Sequence, residues 1–112
     1  MNPSTIARGN VSGLWILSIT ISPSSVAANT TVEQTFTVGG LQIGDFVEVN
    51  KPSAQAGMGI VNSRVSAAST LAITFSNNTA SPIVPTANEV YSLEVTRPEN
   101  LSSGNSALTQ IT

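Results

Sequence analysis

The sequence predicts an all-β chain folded as a two-sheet β-sandwich, jelly-roll-like or immunoglobulin-like. Three observations carry that expectation. Apolar and polar residues alternate with period two in short runs, most cleanly in Thr70 to Ser76, where Leu71, Ile73 and Phe75 share one face. Clusters of Gly, Pro, Ser and Asn, the residues of turns, separate the runs at short and regular intervals. No stretch keeps a helical period beyond a turn or so, and the composition leans on Thr, Val and Ile, which suit a pleated surface. A chain of 112 residues supports one domain and one core.

In chain order, residues 1–13 are small and polar, with Ile6 and Val11 as the larger apolar groups and Arg8 as a cation, and read as a flexible N-terminal arm. The sandwich is expected over residues 14–97. Leu14 to Ile21 is its first strand, with Trp15, Leu17, Ile19 and Ile21 on one face and Leu14, Ile16, Ser18 and Thr20 on the other. Its first half is apolar on both faces, so Leu14 and Ile16 need cover from a neighbouring subunit or from the arm folding back. A turn at Ser22 to Ser25 leads to a second strand, Thr31 to Val38, in which Val32, Phe36 and Val38 share a face with Gln34.

Gly39-Gly40 breaks that strand, and Gly44-Asp45 starts a third, Phe46 to Asn50, with Phe46 and its alternate neighbours expected inward. Lys51-Pro52 ends it, because proline cannot donate to the ladder. Gly59 to Val65 and Thr70 to Ser76 are the fourth and fifth strands, joined by a tight connection. Ile83-Val84, flanked by prolines, reads as a brief edge strand. Glu89 to Arg97 is the last core strand, burying Tyr91, Leu93 and Val95. Residues 98–112 form either a second arm or a further edge strand, with Leu101, Leu108 and Ile111 as its apolar groups.

The composition excludes much chemistry. With no His and no Cys, the usual general base, thiolate nucleophile and commonest metal ligands are missing, so the chain is read as a non-enzyme with no cofactor and no metal. Asp45 and Glu48, three apart on a strand, point to opposite faces and make no catalytic couple; both read as solvated charges near a turn, where Asp45 also suits a local backbone hydrogen bond. Four scattered cations, Arg8, Lys51, Arg64 and Arg97, cannot track a phosphate backbone, which argues against nucleic acid. Leu14 to Ile21 is too short to span a bilayer, so no membrane association is expected. Trp15 and Tyr91, a conceivable sugar-stacking pair, fall on the face assigned to the core. Charged residues make up only 9% of the chain, and a neutral polar surface suits a subunit that ends in an assembly.

The run Gly40-Leu41 with Gly44-Asp45, Val47, Val49-Asn50-Lys51-Pro52, then Gly59-Ile60-Val61, Arg64 to Leu71 with Ile73, Phe75 and Asn77, Pro82-Ile83 with Pro85, and Tyr91, Leu93, Val95 and Arg97-Pro98 resembles the small β-sandwich proteins of tailed bacteriophages that serve as capsid decoration (cement) proteins and in head fibres. The likeness covers about Val38 to Pro98. It implies a homotrimer on the capsid exterior of a virion made in the bacterial cytoplasm, clamping neighbouring major capsid proteins. On that footing the interface residues are Ile6, Arg8, Val11, Leu14, Ile16, Leu101, Leu108 and Ile111. The competing expectation is a head-fibre or tail-associated module that binds carbohydrate or a host surface.

Overall fold

A computed structural model of the chain describes residues 11–99. The all-β expectation holds: six strands form two antiparallel three-stranded sheets, packed as a small sandwich. They are β1 (Val11–Ile21), β2 (Thr30–Thr37), β3 (Phe46–Asn50), β4 (Met58–Ala67), β5 (Thr70–Asn77) and β6 (Glu89–Pro98). One sheet has the order β1-β6-β3 and the other β2-β5-β4. Only the β4–β5 connection, two residues long, is a hairpin within one sheet; every other connection crosses between sheets. The two central strands, β5 and β6, supply the middle of the core: Leu71, Ile73, Phe75, Tyr91, Leu93 and Val95 are all buried.

The buried row of β5 follows directly from its alternation. Its last residue, Asn77, is buried but fully used. Its amide nitrogen donates to the Val26 and Ser81 carbonyls at 3.1 and 2.8 Å, and its oxygen accepts from the Thr79 backbone and hydroxyl at 2.9 and 2.7 Å. A buried amide stabilises only when its groups are satisfied, and here it pins the β5–β6 connection under the sheets. Gly57 belongs to the same corner. Its φ is +79°, and a Cβ there would lie 2.2 Å from Thr79 Cγ2, so only glycine fits.

Four expectations change. Ile83-Val84 is not a strand; Ile83 makes an isolated bridge with Val26, through hydrogen bonds of 2.8 and 3.0 Å. Two prolines in so short a segment leave too few donors for a ladder. Phe46 does not face inward. It is 68% exposed, while Val47 is buried and Val49 half-buried. The physical reason lies one residue earlier. The Asp45 side chain is buried, accepts from the Gln42 backbone at 2.9 Å, and receives Arg97 Nε and Nη2, both at 2.8 Å. That anchor sets the parity of β3, so Val47 and Val49 turn in and Phe46 turns out. Asp45 is therefore no solvated charge, although its backbone hydrogen bond is the one its turn position suggests.

Trp15 is the fourth: it lies at the rim, 41% exposed, whereas Tyr91 is fully buried as expected. β1 begins at Val11, three residues before the expected start. A bulge at Ser12 lets the strand continue, and the Ser12 hydroxyl donates to the Arg97 carbonyl at 3.2 Å. Pro98, expected to open the C-terminal arm or edge strand, is instead the last residue of β6, and residues 100–112 lie outside the described residues.

Candidate functional site

The sandwich has two unlike sides. On one, β3 lies against β4, and Ser63 Oγ donates across the sheets to the Val47 carbonyl at 2.5 Å. A bulge at Val61 makes this closure possible. By taking up one residue it turns Ile60, Ser63 and Val65 all inward, although 60 and 65 differ in parity, and leaves Val61 exposed. On the other side β1 and β2 approach each other less closely than β3 and β4 do. Their inward residues Leu17, Ile19, Ile21 and Phe36 are only partly buried against the core, and Val32 is exposed. A cleft of about 290 Å³ opens there between Trp15, Leu17, Leu41, Val95 and Arg97.

β1 is the strand most affected. Its outward face carries Leu14 at 61% and Ile16 at 69% exposure, and its inward face carries half-exposed Trp15. Among the described residues it hydrogen-bonds to β6 alone, and its other edge presents backbone groups that no described strand pairs. The remaining edge strands each carry a charge: Glu33 on β2, Glu48 on β3 and Arg64 on β4. β1 has neither charge nor proline over its 11 residues. Charges, prolines and bulges are the devices that keep an edge from recruiting another strand, and from Gly13 to Ile21 β1 has none of them.

The orientation of Trp15 is built in. A Cβ on Gly13 would lie 2.4 Å from the Trp15 ring, so glycine lets the indole lie back along the strand. The Arg97 guanidinium sits 4.8 Å from the ring centroid. Arg97 also donates to the Gly40 carbonyl at 2.8 Å while it clamps Asp45, tying the rim of β1 to β6 and to the β2–β3 connection. The hydrogen bonds from Arg97 hold the Asp45 carboxyl below its ordinary range despite burial.

Two other ion pairs brace the fold. Arg64 spans β5 to Glu33 at 2.7 Å, and Lys51 reaches Glu89 at 2.8 Å; in each case the hydrogen bond to the cation lowers the carboxyl pKa. All three cations among the described residues are thus engaged. Glu48 and Glu94 pair with no cation among the described residues. They stand directly opposite each other on β3 and β6, in the same row as Ile16, and a like-charged pair in that position opposes the sheet.

Of the sequence-predicted interface residues, Leu14 and Ile16 stand exposed side by side on the outward face of β1, and Val11, half-buried, begins that strand. Ile6, Arg8, Leu101, Leu108 and Ile111 lie outside the described residues. Sequence reasoning missed Phe46, which shares the outward face with Leu14 through their common neighbour Thr96. No local sequence signal marks it, since its orientation follows from the burial of Asp45 against the distant Arg97. Among the described residues there is no group of three or more acids that would hold a metal ion. No family model, curated protein or solved structure was found to match the chain. The site therefore stands on its geometry: a two-faced apolar edge strand beside an open seam, which can bind by strand pairing and burial.

Proposed function

We propose that this chain is a structural assembly subunit, and that the assembly is the capsid of a tailed bacteriophage, whose exterior it decorates and stabilises by bridging major capsid proteins. The observation that carries the assembly part is β1, which shows large apolar side chains on both faces and an unprotected edge on an otherwise sparsely charged molecule. The capsid part rests on the resemblance of Val38 to Pro98 to decoration proteins. Chain geometry supports the same reading. β1 enters and β6 leaves the sheet side by side, Val11 opposite Pro98, so both terminal segments start from one end of the sandwich and can reach one surface.

Co-sedimentation with purified phage heads tests it. The full chain pellets with heads, and removal of residues 1–10 leaves a folded domain that pellets less; equal occupancy of the two would overturn the capsid assignment. The reading frames beside the gene give a second check, since a neighbouring major capsid gene fits and neighbouring tail-fibre genes do not.

One observation favours a carbohydrate-binding module instead. Exposed Phe46 lies beside the carboxylates Glu48 and Glu94 in an open surface depression, an arrangement on which a sugar ring can stack. Binding on a glycan array that is lost in Phe46→Ala would establish that alternative.

A further inference from the structure

We propose that the free edge of β1 pairs antiparallel with β1 of a second copy about a two-fold axis, joining the two β1-β6-β3 sheets into one six-stranded sheet. This rests on the assembly reading and names one partner as the chain itself, but it departs from the homotrimer that the resemblance implies, because a two-fold pairing of β1 closes with two copies.

Three separate exposures would be removed by that one contact. The open backbone groups along β1 would gain partners. The open sides of the two sandwiches would face each other, covering Trp15, Leu17 and Phe36. The outward pair Leu14 and Ile16 of each copy would lie along a shared apolar strip.

The choice of a second copy follows from charge. An isologous contact pairs residue i with residue j and j with i, and a residue meets its own counterpart only at the axis, so an edge whose charge is of one sign brings like charges together near that axis. β2, β3 and β4 each carry a charge of one sign; β1 carries none. A face-to-face dimer of the same sheets is disfavoured for the same reason, because it would stack the Glu48–Glu94 row on its own image. Joined edge to edge, the nearest such acids are the two Glu94 residues, three strand spacings or about 14 Å apart.

The test is the mass and cross-linking of the full chain. Light scattering at micromolar concentration is expected to show twice the 11.5 kDa chain mass. Ile16→Lys places a cation on the edge while opposing Glu94 of its own chain, so the monomer keeps its fold. The dissociation constant of the dimer should rise roughly a hundredfold, since two isoleucines leave the contact and two like charges enter it. Unchanged circular dichroism and thermal unfolding of the monomer confirm that the fold is intact.

Because the chain has no cysteine, single substitutions Leu14→Cys, Ile16→Cys, Ser18→Cys and Thr20→Cys give a clean second readout. The position nearest the axis should form an oxidised dimer, since opposed Cα atoms about 5 Å apart match disulfide geometry. Asn62→Cys on β4 should not. A monomeric or trimeric full chain overturns the proposal, as does a dimer that survives Ile16→Lys and never cross-links through β1. None of these outcomes bears on head occupancy, so this inference and the capsid assignment fail separately.

Discussion

The β3–β4 side and the β1–β2 side of this sandwich use similar residues to different ends. Both are edges of three-stranded sheets, and both carry β-branched and long apolar side chains on their inner rows. On the β3–β4 side a bulge at Val61, a cross-sheet hydrogen bond from Ser63 and a charge at Arg64 close the edge and guard it. On the β1–β2 side the same kind of inner row stays half-covered, and β1 has no guard. Hydrophobicity alone does not separate core from contact surface; what separates them is whether the neighbouring strand arrives and whether the edge is blocked.

The largest test of that contrast compares one substitution at two depths. Leu71→Ala, at a fully buried position, should cost about 2–5 kcal/mol in urea unfolding, whereas Leu17→Ala on the open side should cost about 1 kcal/mol or less in the monomer. Equal losses would show that the open side is closed in solution. Next comes the anchor that joins the open rim to β3. Asp45→Asn removes the charge that Arg97 clamps, so the melting temperature should fall and Trp15, the only tryptophan, should report the loosened rim in its fluorescence.

Acid sharpens the same point. Asp45, Glu33 and Glu89 have folded pKa values below the ordinary 3.8 and 4.5. The unfolded chain therefore takes up protons first. Stability from these pairs is present above the ordinary values and lost as pH falls through the lower folded ones, and Asp45→Asn should make that loss shallower.

At the alkaline end the sign reverses. Burial, with a smaller contribution from the Glu89 charge, pushes Tyr91 from 10.0 up to about 12, so stability is lost as pH rises through that window. Tyr91→Phe should flatten the alkaline loss at little cost near neutrality, because the buried hydroxyl has no hydrogen-bond partner among the described residues. As the chain has a single tyrosine, the ultraviolet phenolate band follows that titration directly. The smallest effect belongs to the acid pair. Glu94→Gln should stabilise by about 0.2–1 kcal/mol through relief of its repulsion with Glu48.

Much of the fold was legible because its signals are local. The Leu71, Ile73 and Phe75 alternation and the Tyr91, Leu93 and Val95 row each lie within one strand, and the turn residues between strands mark where they end. What escaped depends on distant contacts. The outward turn of Phe46 follows from a pair 52 residues apart in sequence, Asp45 with Arg97. The bulge at Val61 breaks the very alternation by which a strand is recognised. Trp15 alternates like any core residue, and nothing local states that β2 fails to cover it. Of the site, Leu14 and Ile16 were legible as a surplus apolar face, while the open seam and the unguarded edge needed the sheet order.

Because Val11 and Pro98 are opposed residues on neighbouring strands, the backbone enters and departs the sandwich at almost one point. A tag or cargo joined directly before Val11 or directly after Pro98 would consequently start from the same flank, opposite the one that holds the Asn77 corner and the Val26–Ile83 bridge. The same closeness makes the sandwich suited to circular permutation: a short linker could join Pro98 to Val11 while new ends open in the exposed stretch after Lys51, with the strand pairings kept.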